Sequence, residues 1–461
     1  MPAGPKKTVA VFGGGLTGLT AAFRLQERGH AVTVFERASA AGGAVASVRD
    51  QGYLLEKGPN TLQSGSPEVR RLLRDLGLDS RVIHANPLAQ RRYVVRAGRL
   101  RMFPTSPLRF LASGLFSLST KLALLSDLLA RPRVRTTDLT LAELMRSHFS
   151  GEFVDYAVNP FVAGVFAGDP AKLSAKHAFP MVWEAERSHG SIVRGVAAAV
   201  RRRREVADSG ATTIVSFGDG LQTLTDTLAS KLDPGALRLG AVVETLIPGR
   251  PHRVIWKGAD HGLASAEFDA VVLALPASGL APLAFGTLGE RPLAGLEGIP
   301  HPPVASVFLG YRREQVTHPL DGFGVLVPEI ERREVLGILF SSTLFPGRAP
   351  EGHVGLTVFV GGARQPEHAR LRESDLLRRI EPDLRELLGV TGDPAFVRTT
   401  FWPRAIPQYV LGYERWLEAM SSVEKCHPGV FIGGHVRDGI SLPACIAAGE
   451  KLAAKVTGAV R

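Results

Sequence analysis

Cysteine is nearly absent from this chain, since only Cys426 and Cys445 occur among its 461 residues. So few cysteines cannot form a disulfide framework, which excludes a small disulfide-stapled fold and predicts free thiols in a reducing compartment. Long apolar runs are lacking as well: no stretch of about 18 apolar residues is free of charge, so no transmembrane helix is predicted. Glycines interrupt the apolar segment near the N-terminus, which predicts a strand and a turn rather than a signal peptide.

Acidic residues are in deficit, because 44 Asp and Glu face 55 Lys and Arg and leave a formal net charge of +11. Such a surplus suits nucleic acid, anionic lipid or an acidic small molecule. The chain has no helix-turn-helix, zinc-finger spacing or RNA-binding motif, so nucleic acid is not expected as a partner and no metal site is predicted. The hydrophobic fraction of 45% is ordinary for a folded protein, and the length predicts more than one domain.

The clearest motif is Gly13-x-Gly15-x-x-Gly18, which lies between a predicted strand and a predicted helix, while Glu36 ends the next predicted strand. Such glycines let the backbone approach a pyrophosphate, the helix N-terminus stabilises its charge, and the acid binds ribose hydroxyls. The pattern predicts a dinucleotide-binding βαβ unit. Its elements are a strand at 8–12, a helix at 16–28 and a strand at 31–36.

Both NAD and FAD use such a unit, and further glycine pairs favour FAD. Gly42-Gly43 and Gly58-Pro59 continue the path that an extended flavin dinucleotide needs. Near the other end of the chain, a predicted strand ends in Gly433-Gly434, and Pro443 suits the first turn of a final helix. That helix N-terminus is expected at the flavin N1–C2=O edge, where its dipole stabilises the anionic reduced flavin.

Between these glycine turns, the apolar pattern separates a helical part from a part rich in strands. Helical periodicity predominates at 104–203, and strand patterns predominate at 304–360. The expected fold class is therefore α/β. Further predicted helices lie at 141–149, 153–161, 220–232, 373–388 and 443–455, and further predicted strands at 237–245, 270–275, 304–310, 322–327, 335–339 and 354–360.

The chain resembles the FAD-dependent, oxygen-using protoporphyrinogen oxidases, a family within the flavin amine oxidases and phytoene desaturases. The resemblance spans nearly the whole chain. Its most particular motifs are Gly164-Val-Phe-Ala-Gly-Asp169, Asp321-Gly-Phe-Gly-Val-Leu-Val-Pro328, and Ile406-Pro-Gln-Tyr409 with Leu411-Gly412. The other matching segments are 13–18, 56–60, 89–93, 360–362 and 445–446.

Two details depart from the family pattern. The family often has Asn-Asp before the last motif's cysteine, whereas this chain has Pro443-Ala444, and the wider group often has an arginine after the glycine pair, where this chain has Ala44. Neither change removes a backbone contact to the cofactor, but both leave the fine substrate preference open.

The resemblance implies a p-hydroxybenzoate hydroxylase-like FAD-binding fold, with a mixed-sheet substrate domain and a helical membrane-associating insert. It also implies a homodimer and peripheral attachment to the cytoplasmic membrane from the cytoplasmic side. The implied domains are FAD-binding at 1–86, 206–295 and 402–461, substrate-binding at 87–103 and 296–401, and helical at 104–205.

The apolar start of that insert is also basic. Arg109, Lys121, Arg131 and Arg133 stand there against the single acid Asp127. A basic amphipathic segment can lie in the bilayer interface, and a buried helical hairpin is the alternative interpretation.

The implied reaction is the oxidation of protoporphyrinogen IX to protoporphyrin IX in haem biosynthesis. Three two-electron steps deliver the electrons to FAD, and dioxygen then accepts them and forms hydrogen peroxide. The nearest alternative is a coproporphyrinogen III oxidase forming coproporphyrin III, since the basic surplus suits four carboxylates. An amine oxidase, a carotenoid desaturase and a flavin-free basic binding protein are more distant alternatives.

The resemblance also implies substrate contacts. Arg92 matches the arginine that pairs with a propionate, because a guanidinium binds a carboxylate bidentately, whereas Arg91 is expected to be solvated. No general base is assigned. The remaining expected contacts are Asn60 near the flavin, Phe323 and Leu326 on the two sides of a pyrrole ring, Gly324 leaving room for the macrocycle edge, and Phe359 with Val360 as an opposing apolar wall.

The expected cofactor contacts come from both ends of the chain and two places between them. They are Gly13, Gly15, Leu16, Thr17, Gly18, Glu36, Arg37, Gly42, Gly43, Gly58, Pro59, Asn60, Thr61, Val243, Trp402, Gly434, His435, Gly439, Ile440, Ser441 and Leu442.

Overall fold

A computed structural model of the chain describes residues 6–132, 135, 137–206, 213–259 and 261–459, which form a mixed α/β fold. Arg133, expected in the basic apolar segment, lies outside the described residues. The strands are β1 (Thr8–Phe12), β2 (Ala31–Glu36), β3 (Ser47–Asp50), β4 (Tyr53–Glu56), β5 (Leu62–Gln63), β6 (Val82–His84), β7 (Tyr93–Arg96), β8 (Arg99–Met102), β9 (Ile214–Phe217), β10 (Leu237–Leu239), β11 (Val242–Ile247), β12 (His252–Lys257), β13 (Leu263–Phe268), β14 (Ala270–Leu273), β15 (Ala284–Phe285), β16 (Val304–Arg312), β17 (Gly324–Leu326), β18 (Val335–Leu339), β19 (His353–Gly361), β20 (Phe396–Trp402) and β21 (Val430–Ile432).

The helices are concentrated between β8 and β9 and again toward the end of the chain. A π-helical turn at Val154–Val158 joins two of them into one longer helix. The helices are α1 (Leu16–Glu27), α2 (Pro67–Asp75), α3 (Pro107–Ala112), α4 (Leu118–Asp127), α5 (Leu141–His148), α6 (Gly151–Phe153), α7 (Asn159–Phe166), α8 (Ala175–Ala178), α9 (Pro180–His189), α10 (Ile192–Val206), α11 (Gln222–Ser230), α12 (Ala277–Leu280), α13 (Ser341–Leu344), α14 (Glu373–Leu388), α15 (Glu414–Cys426) and α16 (Leu442–Ala459).

A parallel sheet with the order β10-β2-β1-β14-β21 joins the first and last strands of the chain. Val9 of β1 pairs with Val32 on one side and with Ala270 on the other. Because β1 is buried on both faces, it is almost purely apolar, as strands of covered parallel sheets are. Helix α16 crosses α1 so closely that a Cβ on Gly449 would lie 2.7 Å from the carbonyl oxygen of Thr17.

A second sheet, with the order β20-β16-β19-β18-β17-β7-β8, contains strands from both sides of the helical part. Strand β7 pairs parallel with β17, with Tyr93 opposite Val325. Helix α14 covers one face of this sheet, and its Leu376, Ile380 and Leu384 are buried there. The prediction of a helix at 373–388 is thereby confirmed.

Three of the smaller elements differ from their predictions. The segment 237–245 forms the two strands β10 and β11, because Gly240 with a φ of +66° turns the chain from the parallel sheet into a mixed four-stranded sheet. The predicted strand at 322–327 is shortened to β17. The helical run at 104–133 is divided into α3 and α4, because the Ser117 side chain caps a new helix by accepting a hydrogen bond from the Thr120 N–H.

The helical part, residues 107–206 as far as they are described, is called the helical insert below. Its buried centre is the imidazole of His148, which lies 2.5 Å from Asp127 and 2.9 Å from Glu186. Burial opposes the charge of His148, but these two carboxylates raise its pKa above the ordinary value. Arg135 adds a hydrogen bond of 2.7 Å to Glu186, and Ser191 adds one of 2.7 Å to Asp127. The charge network therefore ties the end of α4 to α5, α9 and α10.

Helix α4 and the turn after it carry exposed leucines. Leu118 and Leu129 are 71% and 84% exposed, and Leu122 and Leu125 between them are exposed as well. The spacing of four and three residues places Leu118, Leu122 and Leu125 on one side of α4, and Leu129 follows in the turn after the helix. We call Leu118, Leu122, Leu125 and Leu129 the leucine stripe. Among the residues that the structure describes, no helix is both long enough and apolar enough to cross a bilayer.

Candidate cofactor and substrate site

The first glycine turn is built by backbone contacts that leave no room for side chains. A Cβ on Gly13, where φ is +103°, would lie 2.7 Å from the Ala274 carbonyl oxygen, and a Cβ on Gly18 would overlap the carbonyl oxygen of Gly13. A Cβ on Gly15, in contrast, would meet nothing within 4 Å. Gly15 is the N-cap of α1, and no side chain caps that helix. Free backbone N–H groups therefore face open space, as a pyrophosphate requires.

Glu36 lies over this turn at the end of β2. Its two carboxylate oxygens accept hydrogen bonds from the N–H groups of Gly14 at 2.7 Å and Ala38 at 2.8 Å. An ionised carboxylate has about four lone-pair sites, so capacity remains for ribose hydroxyls. Arg37 follows Glu36 and is exposed. Val243 is half-buried on β11. The Ala241 N–H, just before β11, donates to the Glu36 carbonyl at 2.9 Å and so holds β11 close to the end of β2.

A second glycine turn lies directly beside the first. The Gly42 N–H donates to the Gly14 carbonyl at 2.8 Å, and a Cβ on Gly43 would lie 3.2 Å from the Gly15 Cα. The two turns, 28 residues apart in sequence, therefore border the same open space.

The segment 58–61 continues from that space toward the second sheet. A Cβ on Gly58 would overlap the Ala44 carbonyl oxygen, so this segment lies tightly on the second turn. The Asn60 amide donates to the Gly58 carbonyl at 3.0 Å, and the Trp402 indole donates to the Lys57 carbonyl at 2.8 Å. Pro59 and Thr61 are half-buried beside them.

The third turn comes from the end of the chain and meets α1. A Cβ on Gly434, where φ is +113°, would lie 3.7 Å from the Thr17 hydroxyl oxygen. That hydroxyl donates to the Cys445 carbonyl at 3.1 Å, and the Ser441 hydroxyl accepts the Ala444 N–H at 3.3 Å at the start of α16. The other expected contacts here are Gly439 with a φ of +121°, the half-buried Ile440, and the buried Leu16 and Leu442.

His435 brings no positive charge to this turn. Burial, with His301 as a second cause, lowers the pKa of His435 to about 4, so its ring is neutral at pH 7. The Tyr409 hydroxyl of the 406–409 motif donates to the His435 carbonyl oxygen. The motif thus supports the third turn through the backbone.

These three turns, at 13–15, 42–43 and 433–434, are called the cofactor cradle. They converge on the N-terminus of α1, and α16 begins just after the third turn. Uncapped helix N–H groups, an acid at the end of β2 and space beside Gly15 fit a dinucleotide cofactor, and the extension through 58–61 fits one as long as FAD.

On the second sheet, Arg91 and Arg92 lie in different environments. Arg91 is not simply solvated as expected, because it forms an ion pair with Asp321, which also accepts the Tyr93 hydroxyl at 2.7 Å. That hydrogen bond from Tyr93 lowers the pKa of Asp321. Arg92 forms no ion pair with any carboxylate of the described residues, and its guanidinium lies 5.2 Å from the centre of the Phe323 ring. Desolvation by the surrounding protein lowers the pKa of Arg92, although the residue remains exposed.

One face of the second sheet carries a row of aligned residues. Leu326 pairs with Gly337, and Gly337 pairs with Phe359, so Leu326 and Phe359 flank a position without a side chain. Helix α7 lies against this face, where a Cβ on Gly164 would lie 2.7 Å from a methyl carbon of Leu326. The row forms an apolar surface that is closely packed at Gly337, where a Cβ would lie 2.9 Å from the Val325 carbonyl oxygen. The sequence patterns did not single out Gly337.

Three expectations about this face are corrected by strand geometry. Val360 is fully buried against α14 on the opposite face, because neighbouring strand residues alternate, so it cannot share a wall with Phe359. Phe323 and Leu326 belong to separate apolar clusters, with Gly324 and Val325 between them in the chain. A Cβ on Gly324 would overlap the Ile338 carbonyl oxygen, so Gly324 admits strand β18 rather than a macrocycle edge.

A buried ion pair behind Asn60 was missed by the sequence analysis. The Arg348 guanidinium lies 3.3 Å from the Glu56 carboxylate, and both side chains are 4% exposed. Burial raises the pKa of Glu56 against the effect of Arg348, and burial lowers the pKa of Arg348. Glu56 belongs to the 56–60 motif, but no spacing connects it with a residue 292 positions away.

The chain is similar to known proteins over nearly its whole length. A sequence model described as "Flavin containing amine oxidoreductase" matches residues 16–457. Protoporphyrinogen oxidase 2, chloroplastic/mitochondrial, of Arabidopsis thaliana is 35% identical over 97% of this chain and 93% of its own length. Coproporphyrinogen III oxidase of Bacillus subtilis is 27% identical over 96% of this chain and 97% of its own length.

Solved structures show the same fold at lower sequence identity. A crystal structure of a protein from Exiguobacterium sp. 255-15 superposes with a TM-score of 0.80 at 23% identity, over 98% of this chain and 99% of that one. The fold built from the cradle and the second sheet is therefore shared across the full length of both chains.

Proposed function

Since this chain belongs to the flavin-containing amine oxidoreductase family and is an FAD-dependent oxidoreductase, we propose that it oxidises protoporphyrinogen IX to protoporphyrin IX in porphyrin biosynthesis. The observation that carries the proposal is Arg92, a cation without a carboxylate partner among the described residues, next to the aromatic ring of Phe323. A flat apolar macrocycle with propionate arms needs a cation at the rim of an apolar surface. The full-length relatives that are named protoporphyrinogen oxidase support the same substrate.

The residues divide the work of binding and orientation. Arg92 pairs with a propionate, and the ring of Phe323 stacks on the other side of the guanidinium. Leu326 and Phe359 provide apolar surface that excludes water from the macrocycle, and Asn60 stands between the cofactor cradle and the substrate. Bound FAD supplies the two-electron acceptor for each of three oxidations, with dioxygen as the final acceptor and hydrogen peroxide as its product. Substrate protons leave to solvent or to the pyrrole nitrogens, and no side chain serves as a general base.

The experiment supplies protoporphyrinogen IX to the purified holoprotein, first without oxygen and then with it, and follows porphyrin fluorescence. We expect anaerobic bleaching of the flavin absorbance and continued porphyrin formation only after oxygen is admitted. Coproporphyrinogen III and a primary amine serve as parallel substrates. Turnover of the amine with no turnover of either porphyrinogen would overturn the proposal.

Coproporphyrinogen III is the second candidate substrate, and a second arginine favours it. Arg364 donates to the Val327 carbonyl and the Asn159 side-chain oxygen, both at 3.1 Å, and it has no ion pair within the described part of the chain. Burial lowers the pKa of Arg364. A substrate with four carboxylates would use another cation of this kind, and the Bacillus subtilis relative carries that substrate in its name. A larger kcat/KM for coproporphyrinogen III than for protoporphyrinogen IX would identify coproporphyrinogen III as the preferred substrate.

We assign the FAD contacts to the cofactor cradle, the segment 58–61, Glu36, Arg37, Val243 and Trp402, in a p-hydroxybenzoate hydroxylase-like arrangement. The domains are FAD-binding at 1–86, 206–295 and 402–461, substrate-binding at 87–103 and 296–401, and helical at 104–205. This division is supported by the second sheet, which takes β7 and β8 from before the insert and β16 to β20 from after it.

The leucine stripe supports a finer proposal for the location of the protein. Exposed Leu118 and Leu129, with Arg109 and Lys121 close by in sequence, suit the interface of an anionic bilayer better than the buried hairpin that was the alternative. Peripheral attachment to the cytoplasmic side of the membrane would give a poorly soluble substrate a short path to the site. A homodimer is expected from the family resemblance, and sedimentation would test it.

A further inference from the structure

Arg348 joins two parts of the molecule that are distant in sequence. It follows α13 in the second sheet's part of the fold, and its carbonyl accepts the Leu54 N–H of β4 at 3.3 Å. Its guanidinium donates to the Ser216 hydroxyl of β9 at 2.6 Å and lies 3.3 Å from Glu56 at the end of β4. A single side chain therefore connects the loop after α13 to the two strands that lead toward Asn60 and α11.

Glu56 is itself held in place on three sides. Its carboxylate accepts the Ser47 hydroxyl at 2.5 Å and the Leu221 N–H at 3.0 Å, and Arg348 completes its set of partners. Burial raises the pKa of Glu56, and these three donors oppose that rise. The carboxylate is therefore held in one orientation beside Arg348.

A small cavity lies between this ion pair and Asn60. Its walls include Glu56, Asn60, Phe308, Ser341, Arg348 and Thr357. The cavity has room for about one water molecule. Both the ion pair and a residue assigned to the cofactor and substrate thus border the same small, partly open space.

Two polar groups at this cavity have capacity left over. The Nη1 atom of Arg348 is buried and has no partner among the described residues, and such a donor is costly to leave unpaired. The Asn60 amide nitrogen donates to the Gly58 carbonyl, which leaves the side-chain oxygen of Asn60 as an acceptor. A hydrogen-bonded bridge across the cavity would satisfy both groups.

We propose that Arg348, oriented by Glu56, is a positioning residue that holds the Asn60 side chain through this cavity at the junction of FAD and substrate. The inference rests on the proposed function only in assigning Asn60 to the site. Arg348 touches neither cofactor nor substrate, and it acts by fixing the orientation of the Asn60 amide.

The test is a double-mutant cycle in the holoprotein with Arg348→Met, Asn60→Ala and the double variant. The two readouts are the rate of FAD release, followed by flavin fluorescence after dilution, and the KM for protoporphyrinogen IX. We expect each single variant to change at least one readout about tenfold, the size of a lost hydrogen bond to a charged group. The double variant should be no worse than Asn60→Ala alone, because Arg348 acts through Asn60.

The matched control is Arg49→Met, since Arg49 is an exposed arginine that pairs with Asp219 on the same side of the fold, and its change should leave both readouts within twofold. All rates are measured well below each variant's unfolding midpoint. If Arg348→Met does not fold, Arg348→Lys takes its place in the cycle, since it retains the charge but not the fork of donors.

If the fold-changes of the two single variants multiply in the double variant, Arg348 has only a structural role that is independent of Asn60, and the inference is overturned. An Asn60→Ala variant that changes neither readout would overturn it as well. A non-additive cycle in FAD release without any porphyrinogen turnover would keep the inference and reject the proposed function, so the two failures can be told apart.

Discussion

The cofactor cradle and the helical insert are stabilised by opposite means. In the cradle, Gly13 and Gly18 are pressed against backbone atoms, and no side chain could replace their hydrogens. In the insert, the network of His148, Asp127 and Glu186, with Ser191 bonded to Asp127, ties four helices together, and the leucine stripe remains exposed. Backbone contacts of the first kind tolerate almost no change in sequence, whereas side-chain contacts of the second kind leave the outer surface free to serve another purpose.

This difference explains how one molecule can hold a long cofactor rigidly and still present an apolar surface. The cradle needs only the chain path, which small residues determine, and so its geometry is independent of side-chain rotamers. The insert depends on the internal network around His148, because the exposed leucine stripe adds little buried area to the fold. The following predictions test this contrast in order of decreasing effect.

The largest effect is expected for Gly18→Ala. Its Cβ would overlap the Gly13 carbonyl oxygen, so α1 and β1 must separate, and we expect loss of bound FAD together with loss of the folded state. Gly15→Ala is the matched variant, because its Cβ meets nothing and the chain should fold, yet its FAD content should fall. Flavin absorbance per protein and thermal unfolding measure both. A yellow Gly18→Ala protein with an unchanged Tm would refute the backbone account of the cradle.

A smaller but still large effect is expected for His148→Ala. Removing the imidazole leaves Asp127 and Glu186 buried without their shared partner, which costs about 3–5 kcal/mol of unfolding free energy. Urea unfolding of the variant against His84→Ala, an exposed histidine on β6, measures the difference. A loss of less than about 1 kcal/mol would show that the network does not hold the insert together.

The same network predicts a pH dependence. Since the folded pKa of His148 is raised, its stabilisation is complete below the ordinary value of 6.5 and is lost as the pH rises through the folded value. The pKa values of Asp127 and Glu186 are lowered, so their contributions are complete above the ordinary values of 3.8 and 4.5 and disappear as the pH falls through the folded values. The gap between wild type and His148→Ala should therefore be widest between pH 4.5 and 6.5. A gap that grows toward pH 9 would contradict this assignment.

Arg92 extends the comparison to the second sheet, where one unpaired side chain is assigned to substrate binding. Arg92→Met should raise the KM for protoporphyrinogen IX by an amount equivalent to about 1.5–3 kcal/mol and change kcat much less. Arg91→Met is the matched control, because Arg91 is already paired with Asp321. Equal effects of the two variants on KM would remove Arg92 from the substrate site.

The smallest effect on stability is expected for Leu122→Ser in the leucine stripe. Because Leu122 is exposed, its loss should change the unfolding free energy by less than about 0.5 kcal/mol. Its effect should appear in flotation with anionic vesicles, which we expect to weaken. Leu124→Ser, on the inner side of α4, should lower the unfolding free energy and leave flotation unchanged, since Leu124 packs against the buried clusters of the insert. Unchanged flotation of Leu122→Ser would remove the stripe from the membrane contact.

Much of the fold was predictable because it depends on local pattern. The glycine motif at 13–18 and the helical period at 373–388 each reflect sterics or periodicity within a few turns of chain, and both are found where the sequence predicts them. The separation of 237–245 into two strands was not predicted, since one glycine with positive φ can equally be tolerated inside a strand.

The site was predictable only in part. The family motif singled out Arg92 from its neighbour Arg91, but only the position of Asp321 across the sheet shows that Arg91 is paired with a carboxylate. Strand alternation alone would have separated Val360 from Phe359, but the family motif placed them together.

By itself, the sequence determined the dinucleotide unit, the α/β class and the resemblance to a flavoprotein family, because glycine sterics and short-range periodicity are properties of neighbouring residues. Only the tertiary structure decided that Leu326 and Phe359 align on the two sides of Gly337, and that Arg348 meets Glu56 behind Asn60. Such contacts arise when strands from distant segments pair in one sheet, and their register is set by packing over the whole fold rather than by any residue's neighbours.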